Sequence, residues 1–311
     1  MKPQLANDAS LNTLKYSVFI LPKIDGIRGL NTTGRLTGRS LKEFEGYGVT
    51  EMFSKPYHKF LDGELILGIN PASSERLCSL TAGAVGAFKG VTQPPNLHFW
   101  VFDWLEDLSL PYRQRYEILV RKVQNMGDPR VHLVPAYECK NREELDFYIF
   151  KFLQEGYEGA VIRNPDAPAK QGRPSKVKQE FVRVKPWHDS EMLVTGVTEG
   201  NENTNEATVN ELGYTERSSA FEGLVANGRV GSIQGILLED CISPITGQLL
   251  FPKGLEITVS KGCMTHEEAR FYFENQNQIV GHIVKFKHFI HGTKTLPRMG
   301  QYLSHRLPQD I

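Results

Sequence analysis

The sequence predicts a two-domain α+β protein: mixed strands and helices over residues 1–188, then a small β-barrel over residues 189–311. Three observations predict this. At 311 residues the chain can bury a sizeable core and more readily forms two domains than one. Up to Pro186-Trp187-His188, strand patterns alternate with helical ones. Beyond that point only short β runs separated by turn signals remain, interrupted by one helix.

The elements follow in order. The apolar run Tyr16-Ser17-Val18-Phe19-Ile20-Leu21 reads as a buried strand that delivers Lys23-Ile24-Asp25-Gly26-Ile27-Arg28 at its end. Leu61-Asp62-Gly63-Glu64-Leu65-Ile66 reads as a strand with both carboxylates on one face. Leu97 to Trp104 is an aromatic strand that should place Trp100, Phe102 and Trp104 on one face. Pro111 introduces a helix through Arg113–Val123. Leu145, Tyr148, Ile149, Phe152 and Leu153 mark an amphipathic helix, ended by Gln154-Glu155-Gly156. Glu158 to Arg163 is a strand opening on an acid and closing on a base, and Arg183-Val184-Lys185 sets two cations on one face.

In the second domain, strands are expected around Met192–Val197, Gly235–Leu238, Leu255–Val259 and Ile283–Lys287. Thr265-His266-Glu267-Glu268 fits a capping box that opens the one helix. Several short strands plus one helix suit an OB-like barrel. Residues 199–232 are polar and rich in Asn, Glu, Gly and Ser, and are expected to form a long excursion from it.

Composition narrows the function classes. No apolar stretch approaches the roughly 20 residues that span a bilayer, and Met1 to Asp8 lacks the pattern of a signal peptide. Cys78, Cys139, Cys241 and Cys263 are widely spaced without a C-x-x-C pair, which argues against a zinc module and for reduced thiols in the cytosol. The formal net charge is zero, yet the charge is segregated. Six glutamates and one arginine lie between Glu199 and Glu222, whereas Asn275 to Gln309 has no acid and carries Lys285, Lys287, Lys294, Arg298 and Arg306. A second basic cluster holds Arg173, Lys176, Lys178, Arg183 and Lys185. Such segregation can build a phosphate-binding face on a neutral protein.

Lys23 carries the sharpest chemical signal. A neutral lysine amine is a nucleophile able to form a covalent intermediate. The spacing K-x-D-G-x-R, followed by the Asp62/Glu64, Phe102, Glu158 and Arg183/Lys185 strands in that order, resembles the motifs of nucleotidyltransferases that carry a nucleoside monophosphate on lysine. ATP-dependent DNA ligases, RNA ligases and mRNA capping enzymes share them. The likeness covers nearly the whole chain and is greatest to bacteriophage-type ATP-dependent DNA ligases.

That resemblance implies an α+β nucleotidyltransferase (adenylation) domain followed by an OB-fold domain. It implies that Lys23 attacks the α-phosphorus of ATP, passes AMP to the 5′-phosphate of a nick in duplex DNA, and is followed by attack of the 3′-hydroxyl. Arg28, Glu64, Phe102, Arg183 and Lys185 are then the ATP-binding residues, with Trp100 or Trp104 able to replace Phe102 against the purine. The family usually has lysine where Arg183 stands. Glu158 and Glu64 would associate with Mg²⁺. Arg28 would reach the ribose or the DNA 5′-phosphate, and Arg39 the nick. Lys285 and Lys287 would contact DNA, while Lys294 and Arg298 would orient pyrophosphate or form part of a basic DNA-facing tail. A monomer acting in the cytoplasm is expected, the host's cytoplasm for a phage-encoded chain. The alternatives are an RNA ligase of the same superfamily, or a non-catalytic nucleic-acid-binding protein with a degenerate core.

Overall fold

The structure, a computed structural model, describes residues 1–72, 76–87, 89–291 and 295–306. The chain divides into two compact units, Met1–Lys185 and Pro186–Ile311. Its second unit opens on a strand that starts at Trp187, just ahead of the boundary read near residue 188.

Two sheets build the first unit. One has five strands, in the order Asn7–Asp8, Phe181–Val184, Gly159–Arg163, Val18–Lys23 and Tyr137–Cys139. The other has four, in the order Ile27–Leu30, Leu61–Leu67, Leu97–Trp104 and Val131–Leu133. The helix Arg142–Gln154 covers the first sheet, burying Leu145 and Phe152 against Val18, Ile20 and Ile162. Asn141 caps it, its side chain accepting the Glu144 N–H at 2.9 Å, and Glu143 and Glu144 add negative charge to its first turn. The helix Tyr112–Met126 supplies Leu119 to a core with Leu61, Leu65, Phe99 and Val101 of the second sheet. A third cluster of Leu21, Ile24, Ile66, Tyr112 and Val134 joins residues of both sheets, with Phe102 and Val161 packed on it. The site grows from this junction.

The second unit is a closed barrel in the order Trp187–Asn203, Leu224–Leu237, Glu256–Ser260, Arg298–His305 and Ile283–Phe289. Its core holds Met192, Val194, Ile233, Ile257, Val259, Val284 and Phe286. The helix His266–Glu274 opens on the expected capping box: Thr265 Oγ1 accepts the Glu268 N–H at 3.1 Å, and Glu268 accepts the Thr265 N–H at 2.8 Å. The polar excursion is more regular than its composition suggests. Strands Trp187–Asn203 and Leu224–Leu237 stay paired from Met192↔Leu237 out to Asn203↔Leu224, and a small hairpin of Ala207–Val209 with Thr215–Arg217 lies beyond. Both of that hairpin's strands are exposed throughout, so no apolar alternation announced them.

All four cysteines are free thiols. Among the described residues no helix is long and apolar enough to cross a membrane.

Candidate active site

Lys23 ends its strand opposite Gly159. Glu158, one residue before, donates its backbone N–H to the Lys23 carbonyl at 3.0 Å, which fixes the two side chains near each other. Gly159 is required at this place. Its φ is +153°, and a Cβ there would lie 2.1 Å from the Val184 carbonyl oxygen. The close approach brings Lys185, directly after the strand Phe181–Val184, to the same carboxylate. Lys23 Nζ and Lys185 Nζ each donate to one oxygen of Glu158, which is 3% exposed.

The turn after Lys23 is tied to the other sheet in the same way. A Cβ on Gly26 would lie 2.3 Å from the Leu65 carbonyl oxygen, so the backbone can press there only as glycine. The register Arg28↔Glu64 and Leu30↔Asp62 follows. Arg28 donates through Nε and Nη2 to the two oxygens of Asp62, both at 2.6 Å, and its guanidinium lies 4.7 Å from the centre of the Phe102 ring. Asp62 thus holds Arg28, while Glu64 lines the adjoining cavity.

That cavity, of about 400 Å³, is bounded by Lys23, Arg28, Glu64 and Phe102, with apolar walls from Val134 and Val161. Its size suits a small ligand. Arg39, Arg173 and Arg183 also border it. The lining therefore combines two aromatic rings, Phe102 and Phe181, with one carboxylate and several cations, which is what a nucleoside with attached phosphates needs.

Electrostatics separate the two acids. Burial opposes ionisation of Glu158, but the charges and hydrogen bonds of Lys23 and Lys185 win and hold its carboxyl at about 2. Burial raises Glu64 to about 7, only partly offset by Lys23 and Arg28. Lys185 is lowered, by burial first and then by the neighbouring Lys23 charge. These shifts act in opposite directions on folding. Glu158 stabilises the fold above its unfolded value of 4.5, and that contribution is lost as pH falls towards 2. Glu64, neutral in the folded state below about 7, loses its contribution as pH rises from 4.5 through 7. Glu64→Gln should therefore gain stability relative to the parent chain between pH 5 and 8, on the order of 2 kcal/mol. Urea midpoints at those two pH values measure it; equal midpoints for both proteins would remove the raised carboxyl.

The other predicted site residues fall as follows. Arg183 borders the cavity while its Nε donates to Asp8 at 2.8 Å. Lys285 pairs with Asp189 at 2.7 Å, Lys287 lies 4.7 Å from the centre of the Trp187 ring, and Arg306 pairs with Glu191. The acid-free stretch is thus partly neutralised by the strand it pairs with. Arg298 opens the strand Arg298–His305, opposite Phe289. Lys294 lies outside the described residues.

One expectation is corrected. Trp104 does not share the face of Phe102, because a β-bulge intervenes. The register runs Gly63↔Val101 but Asp62↔Asp103, leaving Phe102 as the extra residue and turning Trp104 to the other side. Trp104 packs with Leu61, Phe99 and Val101. Trp100 stacks on His132 at 4.8 Å, and neither tryptophan lines the cavity. Phe102 and Phe181 line it, and the Arg163 guanidinium lies over the Phe181 ring at 3.6 Å.

Some contributors gave no signal in the sequence. Pro3, Gln4 and Leu5 line the cavity although they belong to no motif. Arg163 lines it too, anchored from below by a buried network. Asp103 accepts from Gln4 at 2.9 Å, from Arg115 at 2.8 and 3.0 Å, and from Arg163 at 3.1 Å. Burial opposes the Asp103 charge, and the Arg163 and Arg115 guanidinium groups overcome it, so its pKa is lowered. Asp103→Ala would strand two buried cations. It should cost about 3–5 kcal/mol, read as a lower urea midpoint; a loss within error of zero would contradict the network's role.

Known proteins resemble this chain in sequence and in fold. A family model described as ATP dependent DNA ligase domain matches residues 3–183. A DNA ligase of African swine fever virus (isolate Warthog/Namibia/Wart80/1980) is 29% identical over 174 residues, covering 53% of this chain and 39% of the relative. The match thus spans less than half the length of that viral protein. Among solved structures, a Lig E DNA ligase, described as binding DNA with a minimal scaffold, is similar at a TM-score of 0.69 and 18% identity, covering 98% of this chain and 99% of the other. The Chlorella virus DNA ligase-adenylate gives a TM-score of 0.51 at 21% identity, with 98% and 99% covered. A nucleotidyltransferase unit followed by an OB-fold unit is the fold of this chain. With more than half of its length matched, the chain belongs to the ATP-dependent DNA ligase domain family.

Proposed function

We propose that this chain is an ATP-dependent DNA ligase that seals nicks in duplex DNA through a lysyl-AMP intermediate. The observation that carries this reading is the placement of Lys23 at a nucleotide-sized cavity, its amine and that of Lys185 sharing the buried carboxylate of Glu158. In the first step the Lys23 ammonium gives one proton to solvent, and the free amine attacks the α-phosphorus of ATP. An N–P bond forms, the bond to pyrophosphate breaks, and the Glu158 oxygen already facing Lys23 is the nearest acceptor for the proton released. Lys185 offsets charge on the α-phosphate, Phe102 stacks on the purine, and Arg28, fixed by Asp62, meets the ribose or the incoming 5′-phosphate. An oxygen of the DNA 5′-phosphate then attacks the AMP phosphorus and breaks the N–P bond. The 3′-hydroxyl finally attacks the 5′-phosphorus and expels AMP. Positioning and charge neutralisation carry displacements of this type.

Mg²⁺ would supply charge neutralisation for the triphosphate. The donor set suits a hard cation: Glu64 and Glu158 offer carboxylate oxygens, a hydrated Mg²⁺ needs few of them, and a nearby cation would favour the ionised form of Glu64. Lys285, Lys287, Lys294 and Arg298 are read as belonging to contacts with DNA or pyrophosphate. Arg39, at the cavity lining, suits the nick end. We take the active species to be a monomer, acting in the cytoplasm of its cell or host. The intact Lys23, Glu64, Glu158 and Lys185 speak against a degenerate binding protein, and no observation favours RNA over DNA.

The test is sealing of a duplex carrying one nick with a 5′-phosphate. ATP with Mg²⁺ should give sealed product, ATP with EDTA none, and NAD with Mg²⁺ none. Sealing with NAD alone, or of nicked RNA in preference to DNA, would overturn the assignment.

A further inference from the structure

The geometry points to a site for one Zn²⁺ ion in the second unit, held by His188, Cys241 and His288. The three residues are far apart in sequence but converge in space, with one ligand atom from each lying within 4.8 Å of the other two. His188 and His288 are direct cross-strand partners on Trp187–Asn203 and Ile283–Phe289, so their rings emerge on the same side of the sheet. Cys241 comes from the strand Cys241–Ile242 and brings Sγ to 3.9 Å from His288 Nε2. Cys241 and His288 are buried, whereas His188 is half-buried and gives access.

Two further features suit a metal. His288 Nδ1 lies 3.3 Å from the Phe289 carbonyl oxygen. A proton on Nδ1 donated there leaves the Nε2 lone pair facing Cys241, the arrangement usual for a ligating histidine. Phe251 and Phe286 pack their rings on His288. A thiolate and two imidazoles form a soft set that selects zinc over the hard Mg²⁺. Three protein ligands leave the fourth tetrahedral position to water or to Ser190, whose Oγ lies 2.9 Å from His288 Nε2. Binding would turn the Ser190 hydroxyl proton away from Nε2 and release the Cys241 thiol proton to solvent, forming Zn–S and two Zn–N bonds. The ion would clasp the two barrel strands to the Cys241 strand.

The experiment titrates the full metal-free chain with Zn²⁺ against a chromophoric chelator, and separately with Co²⁺ followed by absorption. One equivalent of Zn²⁺ per chain is expected, and Co²⁺ should give a thiolate-to-metal charge-transfer band. Cys241→Ser should abolish that band. His188→Gln, at a half-buried position and so compatible with folding, should weaken Zn²⁺ binding at least about tenfold, while Cys263→Ser changes neither readout. Substoichiometric uptake by the parent chain, a Co²⁺ complex without the band, or unchanged affinity in His188→Gln would overturn the site.

Discussion

Lys23→Ala is expected to abolish adenylation by ATP and to stop sealing of an ordinary nick, a loss on the scale of 10⁶-fold for deletion of a covalent nucleophile. Among the described residues no other amine occupies its place. Lys185 shares the Glu158 carboxylate but follows a different strand, and its own hydrogen bond to Glu158 would remain. The variant should still seal a nick supplied with a pre-adenylated 5′ end, because that step requires no lysyl adduct. Label incorporation is the readout. Incorporation at the parent level would remove Lys23 from the chemistry, whereas loss of both reactions together would point to a damaged fold rather than a missing nucleophile.

The second large effect is expected at Glu158. Its carboxylate accepts from two ammonium groups and is almost fully buried, so removing it leaves two cations crowded without their shared anion. Glu158→Ala should lower stability by about 3–5 kcal/mol. The isosteric Glu158→Gln keeps the shape and isolates the charge. It should slow adenylation by roughly 10²–10⁴-fold, the range of a positioned proton acceptor, with a smaller effect on ATP affinity. Single-turnover adenylation at saturating ATP and Mg²⁺ measures the first quantity. An unaltered rate in Glu158→Gln would show that this carboxylate neither positions Lys23 nor takes its proton.

Much of the cavity lining was legible because the relevant strands are buried on at least one face and their motifs are local. Lys23, Arg28, Glu64 and Phe102 lie within a few residues of strong apolar runs, and the fold brings all four to one cavity. Alternation failed one residue beyond Phe102. A bulge adds a residue without changing composition, so nothing in the sequence tells that Trp104 points away. Long-range partners were equally hidden. The Asp103 network unites Gln4, Arg115 and Arg163 across the unit, and only the fold brings them together. Charge counting along the chain also missed the acidic partners of two cations. Lys285 and Arg306 sit in a stretch without acids, yet Asp189 and Glu191 arrive from the paired strand. Cys241 is likewise isolated in the sequence, and only the fold brings it beside two histidines.

The divided standing of the two acids has a functional consequence. Glu158 stays ionised across the whole physiological range, held down by its lysines, while Glu64 changes charge close to neutrality. The proposed ATP site should therefore gain negative charge as pH rises through about 7, and with it a stronger attraction for a divalent cation. The Mg²⁺ concentration needed for half-maximal adenylation should fall over that interval and become flat in Glu64→Gln.

The central claim is that Lys23 carries the AMP, and the most direct measurement is to locate the adduct. The chain is incubated with ATP and Mg²⁺ without DNA, digested, and its peptides sequenced by mass spectrometry. One adenylate per chain is predicted, attached to the peptide containing Lys23 through a phosphoramidate that survives alkali and is cleaved by acid, and discharged when nicked DNA is added. An adduct on Lys185 or any other lysine, or sealing that proceeds with no adduct formed, would contradict it.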